Sequence, residues 1–241
     1  MSQRVHFISD LHLTRDRPEN TQRFLVYLES LDSSVSDLYI LGDLFDVWVG
    51  DDDTTPPNEQ VRKQLKKITG NGTRVYFLAG NRDFLIGEQF FNDTQVTCLQ
   101  DEHLIDLFGV KTLLMHGDLL CTDDIEYQQF RQLTHNLAWQ QAALAKPLEE
   151  RLALAQHYRQ ESHLNKSGKS LDIMDVNQVA VIDALERHGV QRLIHGHTHR
   201  PDIHTYEANN KPAQRFVLAE WDDKASVLEW SESGYQLIRL A

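Results

Sequence analysis

Cysteine is nearly absent: the 241-residue chain holds two, Cys98 and Cys121. Two thiols cannot build a disulfide framework, and the expected setting is a reducing cytoplasm. Basic charge is also in deficit. Lys and Arg number 24 against 36 Asp and Glu, a formal charge of −12. A surface of that sign repels a phosphate backbone, so no nucleic-acid partner is expected. No apolar run approaches the roughly 20 residues of a membrane span. The N-terminal MSQRVHFISD reaches Asp10 too soon for a secretory signal. Repeats and low-complexity tracts are missing as well. What is present is ordinary globular composition, 41% hydrophobic and 25% charged, which excludes disorder, collagen and coiled coil. One domain over residues 1–241 is expected, with a core that needs no covalent staples.

Short apolar, β-rich runs lie at residues 4–9, 38–41, 74–79, 112–115 and 192–194. Each is apolar on both faces, as strands covered on two sides are. Helical stripes lie between several of them. Phe24, Leu25, Leu28 and Leu31 form one. Val176, Val179, Ile182 and Leu185 form another, with Gly189 placed to cap it. This alternation predicts a layered α/β architecture. Residues 103–107 and 111–115 predict a hairpin around Phe108 and Gly109. Beyond His199, residues 202–207, 215–220, 225–230 and 235–240 read as a β-meander completing a sheet. Residues 125–160 are helix-forming throughout, and Pro147 divides them into two helices. A helical insertion or lid is expected over 125–170, with Trp139, Leu144, Leu148 and Leu152 on partly apolar faces and a polar turn at 167–170.

Chemistry gathers at the strand ends. They carry Asp10-Leu11-His12, Gly42-Asp43, Gly80-Asn81-Arg82-Asp83, His116-Gly117-Asp118 and His195-Gly196-His197-Thr198-His199. Ligands of open α/β sheets collect outside the carboxyl ends of strands, so these groups share one rim if the strands are parallel neighbours. Carboxylate, imidazole and amide oxygen suit Mn²⁺, Fe²⁺ or Zn²⁺, and the lack of thiolates argues against structural zinc. Alternate residues of an extended segment share a face, which predicts Asp10 beside His12 and His197 beside His199. Each pattern alone is weak. All of them in this order, each after an apolar strand, point to a two-metal site.

This order resembles the calcineurin-like metallophosphoesterase superfamily, whose pattern runs Asp-x-His, Gly-Asp, Gly-Asn, His, Gly-His-x-His and spans Asp10 to His199 here. The resemblance implies a four-layer α-β-β-α sandwich and two divalent cations, with Mn²⁺ the usual activator. It implies that Asp10, His12, Asp43 and His199 hold one cation. Asp43, Asn81, His116 and His197 hold the other, with Asp43 as the bridge. The pattern departs at Gly80-Asn81-Arg82-Asp83, where the superfamily commonly has His in place of Arg82. Arg stabilises phosphoryl charge bidentately and donates protons poorly, which suits a leaving group such as a phosphate monoester.

Longer stretches narrow the resemblance: YILGDLFDVWVGDDD from Tyr39, GNRDFL from Gly80, HGDLLCTDD from His116, SLDIMDVN from Ser170 and LIHGHTHRP from Leu193. They are similar to the branch of the superfamily that serves lipid A biosynthesis. The implied reaction hydrolyses the pyrophosphate of UDP-2,3-diacylglucosamine to UMP and 2,3-diacylglucosamine 1-phosphate, with water attacking the α-phosphorus. A soluble nucleotide phosphodiesterase with the same metal site is the alternative. Asp43, Arg82 and His197 carry the implied catalytic roles. Asn81, Arg82, Asp124, Ser162, Lys166, Lys169 and His197 are the implied substrate contacts.

Several residues keep two readings. Asp124 is a substrate contact or a helix N-terminal acid. Ser162, Lys166 and Lys169 contact substrate or sit in a solvated polar loop. Asp51-Asp52-Asp53 is a solvated loop or a third metal site. Trp139, Leu144 and Leu148 are lid core or acyl pocket. His195 is read as supporting the ligands, and Asp83 and Asp118 as orienting ligating His or Arg side chains. A diacylated substrate implies peripheral docking on the cytoplasmic face of the inner membrane, through Arg131, Trp139, Leu144, Lys146, Arg151, Arg159, Lys166 and Lys169. No protein partner is inferable.

Overall fold

Apolar strands with no polar face need cover on both sides, and the fold supplies it. The computed structural model describes residues 3–166, 175–222 and 225–240. The first sheet runs β11-β10-β1-β2-β3-β4, where β1 is Arg4–Ile8, β2 Val35–Leu41, β3 Arg74–Leu78, β4 Thr97–Cys98, β10 Ser226–Ser231 and β11 Gly234–Arg239. The second runs β5-β6-β7-β9-β8, where β5 is His103–Leu107, β6 Val110–Leu114, β7 Arg192–His195, β8 Ile203–Ala208 and β9 Lys211–Val217.

Alternation along each strand sorts the side chains into layers. Val5 and Phe7 of β1 join Tyr39, Leu41, Leu114, Ile194 and Phe216 in a core between the sheets. Ile8, Leu38, Ile40, Val75 and Phe77 face the opposite way. They meet α1 (Pro18–Ser30), α2 (Asn58–Gly70) and α3 (Glu88–Thr94), which bring Phe24, Leu28, Val61, Leu65, Ile68 and Phe90. On the far side, Leu113 and Leu193 bury against Val181, Ala184 and Leu185 of α7 (Gln178–His188). Each fully buried Leu, Ile or Phe contributes roughly 1.5–3 kcal/mol of transfer free energy. The result is the expected four-layer α-β-β-α sandwich. Gly189 ends α7 at φ 66°, and Asn177 Oδ1 accepts from Val179 and Ala180 N–H at its start. The β5–β6 hairpin turns through Phe108 (φ 53°) and Gly109 (φ 81°), as expected.

Two expectations need correction. The four strands after His199 do not complete one sheet: β8 and β9 belong to the second, β10 and β11 to the first. Between β9 and β10, Trp221 is fully buried against Phe24 and Tyr27 of α1. Alternation is a local signal and says nothing about which sheet a strand joins. The insertion also holds three helices rather than two: α4 (Ile125–Thr134), α5 (Leu137–Leu144) and α6 (Leu148–Lys166). Pro147 makes one break. Asn136 makes the other, its side chain accepting from Ala138 and Trp139 N–H as an N-cap. The expected turn at 167–170, Lys169 included, lies outside the described residues, as do the side chains of Ser162 and Lys166.

Candidate metal centre and its cavity

Strands β1, β2 and β3 are parallel neighbours and end on one edge of the first sheet. Strands β6 and β7 are parallel in the second. The loops leaving these ends meet across the sandwich, which brings all seven expected ligands together. The route differs from the expected one. Asp10, His12, Asp43, His197 and His199 have φ of 55°, 47°, 53°, 67° and 55°, so the Asp-x-His and His-x-His pairs are not extended. Left-handed backbone at non-glycine residues is uncommon and clusters at functional sites. Here it turns successive ligands inward. It also requires backbone to pass very close to ligand atoms: a Cβ at Gly80 would overlap Asp43 Oδ1, and one at Gly196 would overlap Asp10 Oδ2.

The side chains form two adjoining groups. In the first, His199 Nε2 lies 3.2 Å from His12 Nε2 and 3.3 Å from Asp10 Oδ1. In the second, His197 Nδ1 lies 3.0 Å from Asn81 Oδ1 and 3.2 Å from His116 Nε2, which is itself 3.1 Å from Asn81 Oδ1. Asp43 stands between them, Oδ1 3.7 Å from His116 Nε2 and Oδ2 3.9 Å from His12 Nδ1. Asp10 reaches both groups, since its carboxylate, Asp43 and His116 also offer atoms within 4.8 Å of one another. Asp10 Oδ1 and His12 Nδ1 are buried and make no hydrogen bond. Buried polar atoms left unsatisfied are costly. Two such atoms, aimed into a nest of carboxylate, imidazole and amide donors, fit divalent cations.

The electrostatics have the same cause. Burial pushes the Asp43 carboxyl up to about 7, with His116 opposing. Burial disfavours a charged His116, but Asp43 and Asp10 outweigh it and lift the imidazole to about 9. Burial, then the charge on His116, pushes His197 down to about 3. Burial likewise takes His12 down to about 4. Against burial, Asp10 and Glu220 raise His199 to about 10. Carboxylates and imidazoles this close cannot all take their ordinary charge states.

The supporting residues differ from expectation. Asp83, fully buried, orients no ligand side chain. It accepts from Gly80 N at 2.9 Å and Leu44 N at 2.7 Å, with Asp43 N and Phe45 N at 3.3 Å, so it ties the β2 and β3 loops together. Asp118 accepts from Tyr127 Oη at 2.6 Å and Arg131 Nε at 2.7 Å, anchoring α4 rather than a histidine. Each ligand's own orientation comes from elsewhere. His116 Nδ1 donates to Leu41 O at 2.8 Å, and Asp10 Oδ2 accepts from Ser9 Oγ at 2.6 Å and His197 N at 2.8 Å. His195 is fully buried, 2.8 Å from Gly196 O and 3.4 Å from Arg215 Nη1. Asp51-Asp52-Asp53 is a partly solvated turn, with Asp52 exposed and Asp53 buried. Asp51 accepts from Trp48 Nε1 and from the N–H groups of Gly87 and Phe90, Asp52 pairs with Arg151, and Asp53 accepts from Thr55.

A cavity of about 520 Å³ opens from the two groups into the space under the insertion. Asn81, Arg82, His197 and His199 form its polar end, and Trp48, Phe84, Phe130, Trp139 and Tyr158 line its apolar body. The Arg82 guanidinium faces this space and makes no hydrogen bond or ion pair among the described residues. Asp124 caps α4 through Tyr127 N at 3.1 Å, as its second reading has it, and also lines the cavity. Trp139 lines it too, whereas Leu144 and Leu148 do not. Arg131 and Arg151 are withdrawn from the surface. Arg131 bridges Asp118 and Asp101, and Arg151, 5% exposed, donates to Val49 O, Lys146 O and Asp52. Both guanidinium groups are engaged in fastening the helices of 125–166 to the body.

Sequence reasoning missed Glu220, whose Oε2 lies 2.8 Å from His199 Nδ1. Its one signal was another acid at a strand end. It also missed Tyr127, whose ring centroid is 5.8 Å from that of His197, and the wall formed by Trp48, Phe84 and Phe130.

Comparison with known proteins is consistent with this geometry. The family model for calcineurin-like phosphoesterases matches residues 3–201. A UDP-2,3-diacylglucosamine hydrolase of Marinobacter nauticus is 47% identical over 227 residues, 94% of this chain and 93% of its own length. One of Enterobacter is 45% identical over 233 residues, 97% of each chain. An archaeal phosphodiesterase structure shares the fold, with a TM-score of 0.51 at 13% identity over 99% of this chain and all of that one.

Proposed function

Because this chain belongs to the calcineurin-like phosphoesterase family, we propose that it hydrolyses the pyrophosphate of UDP-2,3-diacylglucosamine. The products are UMP and 2,3-diacylglucosamine 1-phosphate, a step of lipid A biosynthesis. The observation that carries this reading is the continuity of the two ligand groups with an aromatic-lined cavity under the lid. A soluble phosphodiesterase has no use for that apolar body, whereas acyl chains fill it.

Asp10, His12, Asp43 and His199 would hold one divalent cation, and Asp43, Asn81, His116 and His197 the other, with Mn²⁺ the expected ion. When bound, such a pair polarises phosphoryl oxygens and lowers the pKa of the attacking water. The chain's own groups do the rest. Arg82, permanently charged and without an ion pair among the described residues, presents its fork to the diphosphate and stabilises charge on the oxygens. Asn81 and His197 line the same end of the cavity and contact the substrate there. Asp124 lines the same cavity and takes a further substrate contact there; the contacts the family resemblance implies for Ser162, Lys166 and Lys169 fall outside the described residues. The departing phosphate monoester needs little protonation, so no histidine is required where Arg82 stands.

Among the described residues no helix is long and apolar enough to cross a membrane. Ile125, Leu133, Leu137, Leu144 and Leu152 are exposed on the insertion and support peripheral docking at the cytoplasmic face of the inner membrane. Turnover in ¹⁸O-water tests the reaction: label is expected in UMP. Label in the sugar phosphate would move the attacked phosphorus. Turnover of a bis-aryl phosphodiester but not of UDP-2,3-diacylglucosamine would favour the soluble phosphodiesterase.

A further inference from the structure

The four ligand imidazoles are not held alike. His116 donates Nδ1–H to a backbone carbonyl at 2.8 Å. His197 Nδ1 is turned toward Asn81 and His116. His12 Nδ1 makes no hydrogen bond. Only His199, among the described residues, has a carboxylate within hydrogen-bond distance of the nitrogen that faces away from its group, Glu220 Oε2 at 2.8 Å. His199 is also the most exposed of the four. Its side chain is 34% exposed, against 6% for His12 and 1% for His116.

Glu220 itself is firmly placed. Leu218 N donates to His195 O at 2.7 Å and Trp221 N to Asp10 O at 3.0 Å, pinning the backbone on both sides. The Trp221 ring is fully buried. Yet the Glu220 carboxylate has no other hydrogen bond or ion pair among the described residues. A rigid segment therefore carries an acid whose one partner is the exposed imidazole.

We propose that Glu220 is a positioning residue for the first cation site. By accepting Nδ1–H of His199 it fixes the tautomer that leaves the Nε2 lone pair facing Asp10 and His12, and it raises the basicity of that nitrogen. It also offsets the rotamer entropy that an exposed ligand loses on binding. The second site needs no such help, because His116 is buried and held by a backbone carbonyl and His197 is held against Asn81 and His116. This inference rests on the dinuclear reading above. Its consequence is asymmetric: without Glu220 the first site weakens and the second does not.

Mn²⁺ titration of the full metal-free chain, followed by electron paramagnetic resonance and calorimetry, tests it. Wild type is expected to take up two ions. Glu220→Ala should keep one site at wild-type affinity and weaken the other roughly 10–100-fold, the usual cost of losing such a partner. Glu220→Gln keeps an acceptor without the charge and should fall between, which guards against misfolding of the alanine variant. Two unchanged sites in Glu220→Ala, or two sites weakened alike, overturn the proposal. Fewer than two ions in wild type would instead defeat the dinuclear reading itself.

Discussion

The rim of the two sheets and the helical insertion above it are built on different principles. Rim residues reach their places through strand ends, left-handed backbone and buried acids such as Asp83, which binds four backbone N–H groups. The insertion rests on the body through a few long cations: Arg131 on Asp118, Arg151 on Asp52 and Val49 O, and Arg159 on Asp46 at 2.6 Å. Much of its apolar surface stays exposed, and Ile125 and Leu137 are 66% and 68% accessible. Chemistry that tolerates little displacement suits the first kind of structure, and the proposed contact with acyl chains falls on the second.

Substitution at the rim should have the largest effect. Asp43→Ala or His116→Ala should abolish Mn²⁺-dependent turnover and leave the far-ultraviolet circular dichroism intact, since the apolar strands remain. Near-wild-type kcat in either would break the rim's assignment. Next comes Arg82. Arg82→Ala should lose roughly 10²–10³ in kcat, the scale for removing one preorganised donor, and Arg82→Lys should recover part of it. A fully active Arg82→His would mean that the position donates a proton instead.

The lid should respond more selectively. Arg151→Ala removes bonds to two backbone carbonyls and Asp52, costing about 1–3 kcal/mol, read as a lower Tm. Trp139→Ala should slow turnover of the diacyl substrate more than of a short-chain analogue. Equal loss on both would make Trp139 a structural residue of the lid and end the acyl-pocket reading.

The smallest effect separates the two regions by pH. In the body, burial holds the His6 imidazole below its ordinary pKa despite Glu229 at 2.8 Å. The unfolded chain then binds a proton that the folded one refuses as pH drops below about 6.5. Stability from this group is full above that pH and is lost as pH falls toward the depressed folded value. In the lid anchor, Asp118 is held below the carboxylate range because His116 and Arg131 outweigh its burial. Its contribution survives until pH falls below about 4. Tm measured from pH 7.5 to 5 should therefore decline less steeply in His6→Asn than in wild type. Parallel curves would show that His6 does not titrate on unfolding.

Much of the rim was legible because its signals are local. Two-sided apolar strands, a glycine or short loop after each, and ligand-competent residues at their ends were enough to expect layering and a two-metal rim, while the four-layer order and the assignment of Asp10, His12, Asp43, Asn81, His116, His197 and His199 as ligands came with the family resemblance. Gly189 and the Phe108–Gly109 turn were legible for the same reason, since backbone conformation at a cap or tight turn depends on the residues there. Other features depend on partners far away in sequence. Glu220 meets His199 across 21 positions, Arg151 meets Asp52 across 99, and His6 meets Glu229 across 223. No periodicity records which acid a given cation will find. The division of the last four strands between two sheets was equally hidden, because a strand's pattern tells which face is buried and not what buries it. The sequence by itself determined the kinds of residue at the strand ends and the apolar stripes that force layering. Tertiary structure decided the left-handed turns that aim the ligands, the carboxylate behind His199 and the cavity under the lid, because each needs segments that only folding brings into contact.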